Sequence, residues 1–408
     1  MKASDKGYKI AIIGLGYVGL PLFCLFSKHY ACIGLDKDKI RINYLNEAID
    51  YRECEKRRNI RQALQRSTLT SSYSDLRGCN IFIVCVPTGT DAQNQPDLTP
   101  LKNVCKSLSN ILKEGDIVIF ESTVFPGATE EICVPILEEG SSMKINKGFT
   151  VGYSPERINI GDKTHRIVSI PKIISASKED TLSLIYDIYS TVLEASVVKA
   201  SSIKVAEAAK MYENVQRDVL IGLANEYADF CKSEGISIKE VTECASTKWN
   251  FANINPGLVG GHCIGVDTYY LLQRAKNKNQ QMSLVQSARK INEEESSKIA
   301  HRIKDYALSI NAKTILLLGL SYKENTPDCR NTKVADVYNK LKTDFSVVDC
   351  LDPIVNKEEI LRKYKISIFP SVEDLTKKYD LVIKMVNHNV FEKIEFGGSK
   401  IKDLNDFL

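Results

Sequence analysis

Short hydrophobic runs alternate with amphipathic helical patterns along the first part of the chain. The runs have the length and composition of buried strands, and they lie at residues 9–13, 31–35, 81–85, 117–120 and 149–153. Strands that alternate with helices in this way are typical of βαβ units, which place parallel strands side by side in one sheet. The pattern therefore predicts an α/β domain over residues 1–198.

The pattern changes to continuous helix near residue 200 and changes back near residue 311. A proline-free stretch at 201–231, more helix to about residue 250 and a further helix at 282–308 predict an all-helical central domain with one long helix over residues 199–308. Strand-like runs return at 314–318, 345–348 and 381–383. They predict a smaller α/β domain over residues 309–408.

Composition and charge exclude several classes of protein. Lys and Arg number 55 against 51 Asp and Glu, without a basic block, so the charge balance does not indicate a nucleic-acid partner. The twelve cysteines show neither a CxxC pair nor the spacing of a zinc site, which predicts reduced thiols, no metal and a cytoplasmic location. The uncharged run at 10–26 imitates a signal peptide or a membrane span. Its three glycines and one proline favour a buried strand that enters a helix, so no membrane partner is expected.

The first predicted strand runs directly into the sequence GLGYVG, which contains Gly14, Gly16 and Gly19. A strand before it, a helical pattern after it and Asp36 at the end of the next strand form the full context of a dinucleotide-binding turn, so we expect the first α/β domain to be Rossmann-like. The alternation that returns after residue 311 predicts that the smaller C-terminal domain is Rossmann-like as well. Gly14 makes the turn, Gly16 lets the backbone approach a pyrophosphate and Gly19 lets the helix pack on the strand. A carboxylate at Asp36 favours NAD over NADP, although the nearby Arg41 weakens that preference.

Cys263 lies in the glycine-crowded sequence PGLVGGHCIGVD. Glycines suit a place where backbone approaches a substrate closely, and Asp267, four residues later, is a candidate for moving a proton. A thiol acts as a nucleophile only when it has a route to the thiolate, and a cysteine taken alone is more often a small buried hydrophobe. The glycine setting makes Cys263 the candidate nucleophile.

Lys210, Asn214 and Arg217 recur at helical spacing on the long predicted helix, so they lie on one face. A cation with amide donors beside it is suited to holding an oxyanion or a sugar, whereas a solvated helix face is the plainer alternative. The apolar neighbours Met211 and Tyr212 predict that buried positions flank this stripe.

Three loops follow predicted strands and therefore lie at carboxyl ends of the sheet. They contain Thr88, then Ser122 with Thr123, then Glu156 with Arg157. Ligands of open α/β sheets bind beyond these ends, so we expect the loops to border the cofactor.

Seven motifs occur in order along the chain: GLGYVG, CVPT, ESTVFPG, YSPERIN, AKMYENVQRDV, PGLVGGHCIGVD and LGLSYKENTPDCR. In these motifs the chain closely resembles the UDP-glucose/GDP-mannose dehydrogenase family over essentially its whole length. The resemblance implies oxidation of a sugar C6 alcohol to a carboxylate, with two NAD⁺ and one water consumed. It also implies a UDP-sugar substrate and a homodimer.

The resemblance further implies a catalytic role for each matching residue. Cys263 matches the nucleophile that forms a thiohemiacetal and then a thioester. Lys210 and Asn214 match the pair that stabilises the oxyanion, and Asp267 matches the acidic residue that handles protons. Glu156 matches the carboxylate assigned to the water that hydrolyses the thioester.

The other matched positions contact ligands. Those expected to contact NAD are Gly14, Gly16, Tyr17, Val18, Gly19, Asp36, Arg41, Thr88, Ser122, Thr123 and Arg330. Those expected to contact the UDP-sugar are Glu156, Arg157, Lys210, Asn214, Arg217, Gly260, Tyr322 and Lys323. Thr123 is also expected to position water together with Asp267.

Three details distinguish the chain within that family. The KWNF segment at 248–251, the GLVGGHC segment and Arg217 resemble the branch that oxidises UDP-N-acetylhexosamines. UDP-glucose members carry a second Glu four residues after the first, where this chain has Ile160. Thr268 stands where a proline is usual. The segment 251–255, directly before Pro256, has no Arg where related sequences often place a basic residue, so no substrate contact is assigned to that segment. UDP-glucose 6-dehydrogenase is the alternative.

Two interpretations come from other classes of protein. A catalytically silent protein that only responds to NAD would not need Cys263, Lys210 or Asp267, yet all three are present. A two-electron hydroxyacid dehydrogenase on a similar fold would need no cysteine in a glycine-rich loop, because cysteine serves an acyl intermediate. We therefore favour an enzyme that makes a uronic-acid precursor for a surface polysaccharide.

Overall fold

The computed structural model describes residues 7–91, 93–158, 166–261, 263–375, 377–394 and 396–408. Their contacts divide the chain into two compact units. The first unit contains Met1–Glu213 and Tyr269–Asn277, and the second contains Asn214–Thr268 and Lys278–Leu408. The domain boundaries at 198/199 and 308/309 stay predictions.

An eight-stranded sheet forms the centre of the first unit, with the order β10-β9-β8-β7-β4-β1-β2-β3. All neighbours pair in parallel except β8 and β9, which are antiparallel. The strands are β1 (Lys9–Ile13), β2 (Ala31–Leu35), β3 (Thr68–Thr70), β4 (Ile81–Val84), β7 (Ile117–Phe120), β8 (Thr150–Tyr153), β9 (Lys172–Ala176) and β10 (Val197–Lys199), with a separate hairpin of β5 (Gly89–Thr90) and β6 (Pro96–Asp97).

The α-helices described in this part of the chain are α1 (Gly19–Phe26), α2 (Lys39–Asn46), α3 (Arg57–Leu64), α4 (Thr99–Ser109), α5 (Val134–Ser141) and α6 (Glu179–Val192). Ile10 and Ile12 of β1 are buried with Leu20 and Phe23 of α1 in the same core. The uncharged run at 10–26 is thus a buried strand that enters a helix, as predicted. Among the described residues, no helix has both the length and the apolar character that crossing a bilayer requires.

Four helices follow: α7 (Ile203–Ser233), α8 (Ile238–Ala245), α9 (Ile264–Asn277) and α10 (Ser283–Ser309). The predicted long helix is confirmed, with both ends about two residues later than expected. The unit boundaries fall inside α7 and α9, so each of these helices contributes to both units.

The C-terminal sheet has four parallel strands in the order β12-β11-β13-β14. Its strands are β11 (Thr314–Leu318), β12 (Val347–Leu351), β13 (Leu381–Lys384) and β14 (Lys400–Asp403), and its helices are α11 (Val334–Asp344) and α12 (Lys357–Tyr364). The strand predicted at 345–348 begins later because Phe345 is the C-cap of α11 and donates its N–H to the carbonyl of Leu341.

The fold class is confirmed, but six of the described strands were not predicted: β5 and β6 of the hairpin, and β3, β9, β10 and β14 of the two larger sheets. β3, β10 and β14 are edge strands with exposed polar positions. β9 is interior, but it begins with a lysine. It also pairs antiparallel with β8, so it is not part of a βαβ unit with that strand.

Candidate active site

The turn between β1 and α1 is tight. The Gly14 N–H donates to the carbonyl of Leu35 over 2.7 Å, and Gly14 has a φ of +91°. A Cβ at Gly19 would lie 1.8 Å from the Gly14 carbonyl oxygen, so only glycine lets α1 begin against the turn. Gly16 faces open space where a Cβ would point, which leaves room for a pyrophosphate. Tyr17 and Val18 follow, partly exposed, with Val18 as the N-cap of α1.

Asp36 stands at the end of β2 beside this turn. One carboxylate oxygen accepts the Leu15 N–H over 2.9 Å, and the other accepts the Asp38 N–H over 3.0 Å. These bonds fix the carboxylate next to the glycine turn, where sequence predicts contact with a ribose. Each oxygen keeps a further lone pair for a ligand hydroxyl.

Arg41 lies completely buried beneath the turn. Its Nε donates to the Leu15 carbonyl over 2.5 Å, and its Nη1 pairs with Asp50 over 3.0 Å. Burial alone would lower the pKa of Arg41, but Asp50 outweighs it and the pKa is raised. The side chain therefore braces the turn, while its predicted contact with NAD stays a prediction.

Hydrogen bonds connect the loop after β4 to the loop after β7. Thr88 Oγ1 donates to the Thr123 carbonyl over 2.8 Å, and Ser122 Oγ donates to the Val86 carbonyl over 2.7 Å. Since β4 lies between β1 and β7, these residues and the glycine turn share one edge of the sheet. The strand order reverses at β1 and β4, which is where ligands of such sheets bind.

Glu156 and Arg157 follow β8, the next strand along. Both oxygens of Glu156 are held: Oε1 accepts the N–H groups of Arg157 and Ile158 over 2.7 and 2.9 Å, and Oε2 accepts Lys172 Nζ over 2.9 Å. The Arg157 guanidinium pairs with Glu213 of α7 instead, at 2.6 and 3.0 Å. Its predicted contact with the substrate stays a prediction.

Lys210 lies on α7 and is only 5% exposed. Within the described part of the chain, its ammonium makes no hydrogen bond or ion pair. A buried cation in such a position is costly unless it has an anion to bind. Glu207, one turn earlier, accepts the N–H groups of Gly127 and Thr129 over 2.5 and 2.9 Å, so α7 holds the loop that follows β7. Burial raises the pKa of Glu207 to about 7 against the effect of these bonds.

In the second unit, Cys263 directly precedes α9 and its carbonyl accepts the N–H of Asp267 over 2.9 Å. The amide dipoles at a helix start favour negative charge on the sulfur. Asp267 is buried and accepts a hydrogen bond from the Asn214 side chain of α7. The structure thus brings together three of the predicted catalytic residues.

The glycine loop before Cys263 rests on the C-terminal segment. The Gly261 N–H donates to the Arg330 carbonyl over 3.1 Å, and Asn331 Nδ2 donates to the Gly261 carbonyl over 3.0 Å. Gly261 has a φ of +81°, and a Cβ there would lie 2.8 Å from the Tyr322 ring. Only glycine fits at this position.

A buried polar network behind this loop could not be predicted from the sequence. Asn225 accepts the Gly257 N–H over 2.7 Å, donates to its carbonyl over 3.1 Å and also donates to Asn292 over 2.9 Å. Asn292 and Arg289 both donate to Asp218, at 2.8 and 2.7 Å. Burial raises the pKa of Asp218 in spite of Arg289. Asp218 lies in the motif AKMYENVQRDV, but Asn225, Arg289 and Asn292 belong to none of the seven motifs, and their partners lie far along the chain.

A cavity of about 300 Å³ opens beside the same loop. Its walls include Gly257, Gly260, Tyr322, Lys323, Thr332 and Lys333. Three of these residues, Gly260, Tyr322 and Lys323, were predicted to contact the UDP-sugar. Arg330 lies nearby in sequence and pairs with Asp328 over 2.5 Å.

The stripe on α7 differs partly from expectation. Met211 is buried as predicted, but Tyr212 is 71% exposed, so the prediction that apolar neighbours bury both flanks is wrong there. Arg217 is exposed as well. Helical spacing places residues on a face, but it does not tell which neighbouring face is covered.

Models of one known protein family match most of the chain. Three models of the UDP-glucose/GDP-mannose dehydrogenase family match the chain: the NAD binding domain at residues 8–193, the central domain at 204–294 and the UDP binding domain at 316–405. The chain belongs to this family. It is therefore an NAD-dependent nucleotide-sugar 6-dehydrogenase, which confirms the predicted cofactor, enzyme class and UDP-sugar substrate.

Relatives and solved structures cover nearly the whole chain. The UDP-N-acetyl-D-glucosamine 6-dehydrogenase of Pseudomonas aeruginosa is 43% identical over 98% of this chain and 94% of its own length. The enzyme of the same name from Salmonella typhi is 42% identical over 95% of this chain and 91% of its own length. The structure of UDP-D-ManNAc dehydrogenase from Pyrococcus horikoshii matches with a TM-score of 0.87 at 28% identity, over 97% of this chain and 99% of that one.

Proposed function

We propose that this dehydrogenase oxidises the C6 alcohol of UDP-N-acetylglucosamine or UDP-N-acetylgalactosamine to a carboxylate. One alcohol, two NAD⁺ and one water give one carboxylate, two NADH and three protons. The observation that carries the proposal is Cys263 at the start of α9, with the buried Asp267 one turn on and bonded to Asn214. A cysteine is required only if the reaction passes through an acyl intermediate.

Residues at one edge of the first sheet fit the cofactor. The open space at Gly16 and the carboxylate of Asp36 suit a pyrophosphate and a ribose, and Thr88, Ser122 and Thr123 lie at the same edge. NAD⁺ held there would supply the hydride acceptor for each of the two oxidations. The first sheet therefore supplies the binding surface, and the reactive side chains come from other loops and helices.

Cys263 supplies the covalent chemistry. After the alcohol has become an aldehyde, the sulfur adds to C6 and the aldehyde oxygen becomes the oxyanion of a thiohemiacetal. Loss of a hydride from C6 then gives a thioester, so the sugar stays attached between the two oxidations. Asp267 accepts the proton of the alcohol, and Asn214 holds its carboxylate in place.

Lys210 and Asn214 stabilise the oxyanion. The ammonium of Lys210 is buried and, among the described residues, has no anion of its own. Fixed donors in a site with little water stabilise developing negative charge by several kcal/mol, on the order of 3 for a single donor.

Glu156 and Thr123 serve the hydrolysis. A water oxygen adds to the thioester carbon, the water gives its proton to Glu156, and the carbon–sulfur bond breaks to return the thiolate of Cys263. Thr123 helps to position that water. The carboxylate of Glu156 is suited to this because both its oxygens are already fixed.

Residues beside the second-unit cavity hold the UDP part. Gly260, Tyr322 and Lys323 line that cavity, and a diphosphate needs cations such as Lys323. Arg330 faces NAD, while Arg157 and Arg217 contact the sugar nucleotide. These assignments follow the motif matches.

The N-acetylated sugars are favoured by the relatives at 42–43% identity, which are named as UDP-N-acetyl-D-glucosamine 6-dehydrogenases. Arg217 and the KWNF segment support the same branch. Ile160, which argues against UDP-glucose, lies outside the described residues.

The test is a panel of UDP-sugars with the purified enzyme, with kcat/KM measured for each. We expect UDP-N-acetylglucosamine or UDP-N-acetylgalactosamine to exceed UDP-glucose by at least about 10-fold, because a pocket built for the acetamido group leaves polar groups unpaired when it is missing. A higher kcat/KM for UDP-glucose would contradict the proposed substrate. Cys263→Ala, which cannot form the thioester, is the control for background turnover.

We also propose that the enzyme is a cytoplasmic homodimer whose product enters surface polysaccharide. An activated uronic acid is a sugar donor, and the reduced Cys263 needs a reducing compartment. Support for a dimer comes from α7, where Leu223, Tyr227 and Phe230 are exposed at helical spacing.

A further inference from the structure

Glu156 and three other side chains of the first unit form a buried polar cluster, which we call the Lys172 cluster. Lys172 Nζ lies 2.6 Å from Glu121 and 2.9 Å from Glu156. The side chains of Lys172, Glu121 and Glu156 are 4%, 0% and 9% exposed. Tyr189 of α6 donates its hydroxyl to Glu121. Neither Lys172 nor Tyr189 belongs to a motif that the sequence analysis used.

The antiparallel pairing of β8 and β9 creates this contact. Tyr153 of β8 lies opposite Ser175 of β9, and continuing the register by three residues places Glu156 opposite Lys172. Ser154 Oγ donates to the Ile173 carbonyl over 2.8 Å, which continues the pairing beyond the regular strand. A parallel β9 would have carried Lys172 to the opposite edge of the sheet.

The charges in the cluster are unequal, because two carboxylates share one ammonium. Burial would lower the pKa of Lys172, but Glu121 and Glu156 outweigh it and raise the pKa, so the lysine stays cationic. Burial raises the pKa of Glu121 against the opposing effect of Lys172, and burial also keeps Tyr189 protonated by raising its pKa. The thiol of Cys85 lies close enough to the cluster to be affected by its charges, and burial raises its pKa, so it stays neutral.

We propose that Lys172 is a positioning residue that aims the Glu156 carboxylate at the hydrolytic water, an inference that rests on the proposed function. Glu156 Oε1 is fixed by two backbone N–H groups, and Oε2 is fixed by Lys172, which Glu121 holds in turn. The carboxylate can then rotate only if it loses an ionic hydrogen bond. One orientation is kept through the whole reaction.

The cost of the arrangement supports a role beyond folding. A buried ion pair seldom stabilises a fold more than apolar side chains of the same volume would. Here Lys172 and Glu121 are enclosed, whereas Glu156 is partly exposed at the carboxyl edge of the sheet, where the cofactor and substrate loops lie. The fixed charge of Lys172 therefore acts on Glu156, the member of the cluster that lies at this edge of the sheet.

Loss of Lys172 affects only one step of the reaction. Without the ammonium, Glu156 is held through one oxygen and faces the carboxylate of Glu121, so it turns away from the water. The two oxidations do not use Glu156, and they keep their rates. Hydrolysis slows by about 100-fold, the usual effect of a misplaced catalytic group, and the thioester on Cys263 accumulates.

The experiment compares Lys172→Met, Lys172→Gln and Lys172→Arg with the wild type in rapid-mixing reactions with UDP-N-acetylglucosamine and NAD⁺. The control is Lys178→Met, which removes an exposed lysine. Among the described residues, this lysine pairs with Asp180 at a distance of 4.0 Å. NADH absorbance follows the oxidations, and intact mass detects the acyl group on Cys263. Hydroxylamine is added in a parallel reaction, because this nucleophile cleaves a thioester to a hydroxamate and a thiol without a positioned water.

We expect a burst of about two NADH per subunit in Lys172→Met and Lys172→Gln, then slow turnover with the acyl enzyme visible by mass. Hydroxylamine should restore turnover in these variants. Lys172→Arg keeps the positive charge in a side chain of different shape, so its steady-state turnover should lie between that of these variants and that of the wild type. The turnover of Lys178→Met should match that of the wild type.

Results that would overturn the positioning role differ from the result that would overturn the proposed function. If all three Lys172 variants lack both the burst and NADH binding, Lys172 serves the fold and the positioning role is wrong. Variants that turn over like Lys178→Met, or whose slow turnover ignores hydroxylamine, also overturn it. A wild-type enzyme that does not oxidise the sugar at all would instead overturn the proposed function, and the wild-type reaction alone reveals that.

Discussion

Asp36 serves the fold and the cofactor at once. Its carboxylate accepts the Leu15 N–H of the glycine turn and the N–H of Asp38, so the charge next to the turn cannot move away. A fixed negative charge favours hydroxyl donors and repels a phosphate. Cofactor choice thus depends on a residue that also shapes the turn.

We predict that Asp36→Asn lowers the ratio of kcat/KM for NAD over NADP by about 10- to 100-fold, because hydrogen bonds to a charged acceptor contribute about 1.5–3 kcal/mol and the repulsion of the 2′-phosphate is lost. The asparagine oxygen can still accept the Leu15 N–H, so the turn survives. Asp38→Asn is the matched control: Asp38 caps α2 through the N–H groups of Ile40 and Arg41, and asparagine caps equally well. An unchanged ratio in Asp36→Asn would show that this carboxylate does not select the cofactor.

Residues whose partners are near in sequence could be predicted. The glycine turn with Asp36, and Cys263 with Asp267, are local patterns with a known physical meaning. Lys172 and Asn225 could not be found in this way. Lys172 contacts Glu121 across 51 sequence positions, and Asn225 contacts Gly257 across 32. No pattern in the intervening sequence predicts either contact.

At the scale of elements, α7 carries residues with several roles. In the first unit, Glu207 holds the loop after β7 and Lys210 follows one turn later. In the second unit, Asn214 bonds to Asp267, and Asp218 one turn later joins the network behind the cysteine loop. The periodicity of the sequence predicted this helix because its polar and apolar positions repeat locally.

The outer surface of α7 carries an apolar stripe that a second copy of the chain would cover. Leu223, Tyr227 and Phe230 are 57%, 45% and 51% exposed, and they repeat at the spacing of one helix face. The rings of Tyr227 and Phe230 lie 5.6 Å apart. An isologous contact is the common way in which a dimer buries such a stripe.

We predict that the double variant Leu223→Glu with Tyr227→Glu is monomeric, because two buried carboxylates in each protomer would face an apolar surface. Light scattering after size exclusion should give twice the chain mass for the wild type and the single mass for the variant. Leu361→Glu, which changes an equally exposed leucine on α12, should leave the dimer intact. A monomeric wild type, or a dimeric double variant, would contradict the proposed interface.

At the scale of the whole molecule, the order of α/β, helical and α/β segments followed from hydrophobic periodicity. The three family models follow one another along the chain as NAD binding domain, central domain and UDP binding domain. The division into two units did not follow from that periodicity. That division cuts α7 and α9, and tertiary contacts decide it rather than local pattern. The edge strands were missed for a related reason, because partial exposure removes the apolar run that predicts a strand.

We propose that a cysteine-bound intermediate lets this single enzyme carry a sugar alcohol through two oxidations. The most direct measurement is the number of NADH formed per UDP-N-acetylhexosamine consumed at complete conversion, with the product identified by mass. We expect two NADH and the UDP-uronic acid, and no acid from Cys263→Ala. One NADH per sugar, with an aldehyde or ketone as the final product, would contradict it.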